Sequence, residues 1–421
     1  MAYARGVRIL LWHGYLLGGT GSNVYTRAIA REWQRSGHDV VVFCQEPHPD
    51  RFDVGGARVV RPPLPDRLLP VFVLDRYEGL EARRLHELTA AERRRYVDAN
   101  AAALEPFLPA DVVFANHVLP GGAVAAASGA DYAVKAHGSE LEYSIRGDDE
   151  LVAEARAALE RARAVFVGSG HVRAVLEEVV GHVERVHEVP PGVDVEEFVP
   201  KDRASALAAL VDQCRDDPPN PGNRNERLPD EDNARRLARF FEGDLPTVVY
   251  FGKLLYNKGV HLLLEALHGL EARAVIAGFG DYRRRLESLA PRRTLFTGPL
   301  EHRHLVNLVP LADAVVVPSI FPEAFGMVAA EAAAAGVPPL VARHSGLAEI
   351  AAGLEAVYPE RHRHLAAFET GNSIDLAEKL HDLLALAPAE RAALGTAARR
   401  VAEERWSWHS VAERLLAPFI A

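Results

Sequence analysis

The sequence predicts an α/β protein built from two doubly wound, Rossmann-like sheets, and three observations lead there. Its 421 residues exceed what one ordinary core organises, so two domains of roughly 200 residues each are expected. Short apolar runs recur along the whole chain, each followed by a polar or glycine loop and then a helical period, the alternation of a mostly parallel sheet covered on both faces. The stretch Val189-Pro-Pro-Gly-Val-Asp194, with two prolines and a glycine, stiffens the midpoint as a crossing between domains would.

In the first half, Val7 to Trp12 is a buried strand, followed by the loop Gly18-Gly-Thr-Gly-Ser-Asn23 and an amphipathic helix to about Ser36. Ser22 or Asn23 caps that helix, Gly37 ends it, and Val24, Ile29 and Trp33 form its apolar face. Asp39 to Cys44 is the second strand. The loop is not a dinucleotide fingerprint: Gly19-Thr-Gly21-Ser-Asn-Val24 lacks the third glycine and begins several residues after the strand. A long loop of this kind suits close backbone approach to a ligand. A Pro-rich turn at residues 61–65 and a helical stretch from about Glu78 to Pro106 come next. Strands follow at 111–115, 132–136 and 164–168, and polar residues stand at two of their carboxyl ends: Asn116-His117 and His137-Gly-Ser-Glu140. Ligands of parallel sheets gather at such ends.

The polar, Pro- and Asn-rich run from Asp216 to about Asp232 reads as a surface loop or partly disordered segment. Thr247 to Phe251 then opens the second sheet and runs into Gly252-Lys-Leu-Leu-Tyr-Asn-Lys-Gly259 and a helix to about Leu267. The chain has five lysines against 43 arginines, yet Lys253 and Lys258 share this one turn. A compact ammonium suits phosphate, although two solvated turn lysines would look the same. Further strands lie at 274–280, 294–298, 314–319 and 339–342, and a last helix carries Trp406 and Trp408 at its start.

Composition limits the function. A net charge of −10 without a basic block argues against nucleic acid as a partner. Cys44 and Cys214 fall in different domains without metal-ligand spacing and read as structural thiols of a reducing compartment, so the protein is expected to be cytoplasmic. No apolar run approaches the length of a membrane span, and the first is too short for a signal-peptide core.

The chemistry concentrates in Ser319-Ile-Phe-Pro-Glu-Ala-Phe-Gly-Met-Val-Ala-Ala-Glu331: a strand end, an acidic loop and the first turns of a helix. Unpaired N–H groups at that helix start attract an anion. Glu323 ahead of it and Glu331 inside it could reach different parts of one ligand. Taken singly, Glu323 reads equally well as a partner of the helix dipole and Glu331 as a solvated helix residue. Together with the lysine turn, this spacing resembles the Glu-x7-Glu signature of the retaining nucleotide-sugar glycosyltransferases of family 4, which have the GT-B architecture.

The resemblance runs through nearly the whole chain and implies two domains across a cleft: 1–191 on the acceptor side, 192–402 for the nucleotide sugar, and a C-terminal helix, 403–421, crossing back. It implies a donor site made by Gly18, Gly19, Leu300, Phe325, Gly326, Met327 and Glu331, the last on the ribose. Glu323, Lys253, Lys258 and His137 are the implied catalytic groups, and Asn116 and His117 line the acceptor side. Two positions depart from the family: Pro191 replaces the usual Asn of the hinge, and Lys253 stands where arginine is usual, keeping the charge but not the bidentate fork. The activity implied is metal-independent transfer of a hexosyl unit, from a UDP-sugar in the first instance, to a hydroxyl of a small molecule or glycan, with retention of configuration. No cofactor is implied, since the nucleotide sugar is a co-substrate, and a homodimer is compatible with the chain. A non-catalytic nucleotide-sugar sensor and a nucleotide-sugar 2-epimerase are the alternatives.

Overall fold

The computed structural model describes residues 6–18, 21–72 and 77–420. The chain divides into two compact units, Met1–Gly192 with Trp408–Ala421, and Val193–Ser407.

In the first unit the strands are β1 (Arg8–Trp12), β2 (Asp39–Phe43), β3 (Arg58–Val60), β4 (Leu68–Val71), β5 (Glu81–Arg84), β6 (Val112–Asn116), β7 (Tyr132–Lys135), β8 (Ala164–Val167) and β9 (Val186–Glu188). Seven of them form one parallel sheet in the order β3-β2-β1-β6-β7-β8-β9, while β4 and β5 pair separately. The order reverses between β1 and β6, and an open α/β sheet offers its ligand crevice at such a reversal, beyond the carboxyl ends of the strands. β1 and β6 are in register from Ile9 opposite Val112 to Trp12 opposite Ala115. This brings the residues after Trp12 beside Asn116 and His117.

Two expectations for this unit are corrected. The helix Gly21–Arg35 buries Tyr25, Ile29 and Trp33, an i, i+4, i+8 stripe, and leaves Val24 exposed. Val24 lies one residue, about 100°, off that stripe. The stretch from Glu78 is not continuously helical, because β5 intervenes and the helix is Ala90–Leu104. It starts where a capping box allows: the Thr89 side chain accepts from Glu92 N (3.2 Å) and Glu92 Oε2 accepts from Thr89 N (2.9 Å).

The second unit holds β10 (Thr247–Phe251), β11 (Arg273–Ala277), β12 (Thr294–Gly298), β13 (Ala314–Val317), β14 (Pro339–Ala342) and β15 (Ala367–Phe368). All pair in parallel in the order β12-β11-β10-β13-β14-β15, so the reversal falls between β10 and β13. Those are the strands that lead into the lysine turn and the acidic stretch.

The run from Asp216 to Asp232 is ordered, not a slack loop. Asn220 is buried, donating from Nδ2 to Asn225 O and Pro229 O (both 3.0 Å) and accepting Asn225 N (2.9 Å). A polar segment can thus hold one shape through side-chain to backbone bonds in place of an apolar core. The C-terminal helix is Trp408–Ile420, and Trp33 Nε1 donates to Ala412 O (3.0 Å) within the first unit. The return to that unit begins at Trp408, not at 403. Trp406 stays in the second unit, its ring 5.9 Å from that of Phe325.

Candidate active site

In the second unit the lysine turn and the acidic stretch are locked together. Gly259 has φ +67°, and a Cβ there would lie 1.8 Å from Pro318 O, so only glycine permits this approach. Ile320 N donates to Asn257 O (2.9 Å) across the same seam. The result is that Lys258 Nζ stands 2.5 Å from Glu323 Oε1. Both side chains remain partly open to solvent, at 30% and 24%.

The loop bearing Glu323 is held by a relay that no motif revealed. His344 Nε2 donates to Ser319 O (2.7 Å), which leaves Nδ1 to accept from Ser345 Oγ (3.0 Å). Ser345 Oγ in turn accepts from Glu323 N (2.9 Å), and Glu323 O accepts from Gly346 N (2.9 Å). Every polar group in this run has a direction, and Glu323 is oriented by its backbone while its carboxylate faces Lys258.

Gly326, at φ +125°, precedes the helix Met327–Ala334. A Cβ at Gly326 would meet Leu347 Cδ2 at 2.6 Å. The helix therefore starts abruptly, with unpaired N–H groups at the same end as Lys258 and Glu323. Phe325 is buried, its ring against Trp406, so only its backbone can serve a ligand. Lys253 is exposed on the lysine turn and Leu300 is half-buried beyond β12. Among the described residues, no hydrogen bond joins Lys253, Leu300 or Glu331 to the Lys258–Glu323 pair.

Burial raises the carboxyl of Glu331 to about 8. From the ordinary carboxylate range, about 4.3, up to that value the unfolded chain has released a proton that the native state keeps. Stability should fall across this window and level off above it. Glu331→Gln is expected to remove the dependence and melt at least ~3 °C above the unsubstituted protein at pH 8.5, with little difference at pH 4.5. Parallel melting curves at both pH values would contradict it.

In the first unit Asn116, His117 and His137 come together. His137 Nε2 donates to Asn116 Oδ1 (2.8 Å), whose Nδ2 donates to Thr26 Oγ1 (3.1 Å). The rings of His117 and His137 lie 4.7 Å apart. Burial, then the neighbouring His117 and Lys135, holds His137 well below the usual imidazole range, so it is neutral. Two further members join them: Glu140, which the sequence places at the strand end without a role, and His13, which sequence reading missed. Glu140, fully buried, accepts from His137 N (2.9 Å) and lies 3.3 Å from His117 Nδ1. Burial raises its carboxyl, but His117 and these donors outweigh it and the net shift is downward. His13, lowered to about 3 by burial and by His117, bonds Asn23 Oδ1 through Nε2 (2.8 Å). Gly18 O accepts from Asn23 Nδ2; Gly19 lies outside the described residues.

One group of metal-ligating types converges among the described residues: atoms of Cys214, Asp217 and His304 lie within 4.8 Å of one another. Sequence spacing concealed it, since His304 comes from a distant helix. Its chemistry is that of a buried ion cluster. Arg303 Nη2 already neutralises Asp217 (2.7 Å), His304 Nδ1 accepts from Glu301 N (3.2 Å) and so places the proton on Nε2, and burial pushes the Cys214 thiol up to about 12.

Residues 20–192 match the family model described as glycosyl transferase 4-like domain, and 233–401 match glycosyl transferases group 1. Together they cover most of the chain. The chain belongs to the glycosyl transferases that these two models describe, and its fold is the GT-B architecture. A D-inositol 3-phosphate glycosyltransferase of Xylanimonas cellulosilytica is 32% identical over 246 residues, 56% of this chain and 51% of that one. A GDP-mannose-dependent alpha-(1-6)-phosphatidylinositol monomannoside mannosyltransferase of Mycolicibacterium smegmatis is 27% identical over 300 residues, 66% and 67% of the two chains. The chain thus spans about half the length of the first of these relatives and two thirds of the second. Among solved structures, a glycosyltransferase from Rickettsia africae has a TM-score of 0.71 at 15% identity, covering 99% and 98%. The Anabaena protein HepE, solved in complex with UDP and glucose, has 0.66 at 16%, covering 97% and 98%. At these identities the structures speak for the fold. No helix of the described residues is long and apolar enough to cross a membrane.

Proposed function

We propose that this protein is a retaining hexosyltransferase that uses a nucleoside diphosphate sugar and needs no metal. The observation that carries the reading is the Lys258–Glu323 contact at the sheet reversal, beside an uncapped helix start. In the free protein the two charges satisfy each other. A donor diphosphate competes for Lys258 and frees the Glu323 carboxylate to accept hydrogen bonds from the sugar hydroxyls. Lys253 and the N–H groups after Gly326 add to the positive field on the leaving group. Glu331 takes the ribose, and in the first unit the neutral His137 offers a hydrogen bond to a sugar hydroxyl.

As the bond from the anomeric carbon to the phosphate oxygen breaks, negative charge grows on that oxygen. The acceptor hydroxyl attacks from the same face and passes its proton to the departing oxygen, so the nucleoside diphosphate leaves with the proton and configuration is retained. The lysines supply the charge that a divalent ion would otherwise bring, and activity is expected to survive EDTA. The donor is UDP- or GDP-linked, in keeping with the GDP-mannose-dependent relative and the UDP-bound neighbour.

A thermal-shift screen of UDP-, GDP- and ADP-sugars tests the reading. A true donor at 100 times its Kd should stabilise the protein by about 2.7 kcal/mol. A panel in which no nucleotide sugar moves the melting temperature would overturn it.

A further inference from the structure

We infer that Arg227, carried by the ordered segment 216–232, is the residue that reads the nucleobase of the donor. The inference rests on the nucleotide-sugar reading above and adds a residue and a specificity to it.

The segment is aimed at the carboxyl edge of the sheet by more than one contact. Asp230 N and Asn233 Nδ2 both donate to Thr297 O in β12 (2.8 Å each). Gly298, at φ +69°, lets the segment approach; a Cβ there would lie 2.7 Å from Asp230 Oδ1 and 2.9 Å from Asp230 N. The buried Asp230 carboxylate receives both terminal nitrogens of Arg283 (2.8 and 2.6 Å). Farther along, Glu231 Oε2 accepts from Gly222 N (2.9 Å) and Glu231 N donates to Asn223 Oδ1 (2.7 Å), which closes the segment on itself.

This frame carries Arg227 over the ring of Phe279, with the guanidinium carbon 4.6 Å from the centroid. Phe279 sits in the turn that follows β11. The neighbouring arginines are committed: Arg283 and Arg236 to Asp230, Arg303 to Asp217. Arg227 is not. It is exposed, and among the described residues its guanidinium makes no hydrogen bond or ion pair. A planar fork with its donors free is therefore held flat on an aromatic, with the half-buried Leu300 leading away from the adjacent strand end.

Its place fits a base. β12 is two strands from β10, on the order of 10 Å along the sheet edge. With the diphosphate at the ends of β10 and β13, the remaining nucleoside reaches toward β11 and β12. A guanidinium there offers a face for stacking and donors for a base edge rich in acceptors. It favours guanine, whose O6 and N7 accept side by side, or the carbonyls of uracil; adenine places an amino donor at the corresponding edge.

The test is isothermal titration of the full-length protein with GDP, UDP, ADP and inorganic pyrophosphate, for the unsubstituted protein, Arg227→Ala and Arg227→Lys. Expected are tighter binding of GDP or UDP than of ADP, a loss of roughly tenfold for the preferred diphosphate in Arg227→Ala, unchanged pyrophosphate affinity, and only partial rescue by Lys. Unaltered affinity in Arg227→Ala, equal binding of all three bases, or a parallel loss for pyrophosphate would overturn the base-reading role. If the unsubstituted protein binds pyrophosphate but none of the nucleotides, it is the nucleotide-sugar reading that falls. Melting curves of both variants close to the parent's would show that the segment stays folded without the Arg227–Phe279 contact.

Discussion

Lys258→Met is expected to lower kcat by about 10²–10³ while leaving the fold intact, the size of effect seen when one preorganised donor to a developing anion is removed. The ion pair with Glu323 is partly solvated, and such pairs contribute only about 0–1 kcal/mol to stability, so the loss should appear in the rate and hardly in the melting temperature. Lys253 sharpens the argument. Lys253→Arg should be mild, because the charge stays and a fork is gained, whereas Lys253→Met should be severe. Steady-state kinetics with saturating donor separates these outcomes; equal kcat for Lys258→Met and the unsubstituted enzyme would remove the lysine turn from leaving-group stabilisation.

The second large effect belongs to Glu323. Glu323→Ala should lower kcat strongly with a smaller change in KM for the donor. The loop should keep its path in the variant, since Glu323 N still donates to Ser345 Oγ and Glu323 O still accepts from Gly346 N. What is lost is the carboxylate, which meets the sugar once the diphosphate has taken Lys258. Glu331→Ala should show the opposite pattern, a raised donor KM with kcat reduced less, because ribose contacts are alike in ground and transition states. A Glu323 variant that loses donor affinity alone would confine that residue to binding.

Much of this was legible in the sequence, and the exceptions have physical causes. The strands at 8–12, 39–43, 247–251 and 314–317 are apolar runs bounded by loops, with Arg8, Asp39 and Thr247 only at their first positions, a signal that tertiary context rarely overrides. The pairing of Lys258 with Glu323 was not legible, because strand order, not spacing, sets β10 beside β13. The His344–Ser345 relay was hidden for the same reason: it fastens to the acidic loop from the carboxyl end of the neighbouring strand β14. The segment 216–232 misled by composition. Few apolar residues usually mean no stable shape, but Asn220, Asn223 and Asn225 are turn residues whose side chains replace a core with hydrogen bonds. Their density was the available clue. Val24 failed by a single helical step, and β5 was absorbed into an Arg- and Glu-rich run because only Thr89 and Glu92 mark where the helix begins.

The most direct test of the central claim, metal-free transfer with retention from a donor held at the lysine and glutamate turns, is a proton NMR spectrum of fresh reaction product. The protein is treated with EDTA and supplied with the nucleotide sugar that stabilises it and a hydroxyl acceptor. The expected product is a glycoside with the anomeric configuration of the donor, formed at an undiminished rate. A product of inverted configuration, or turnover that returns only when Mg²⁺ or Mn²⁺ is added, would contradict it.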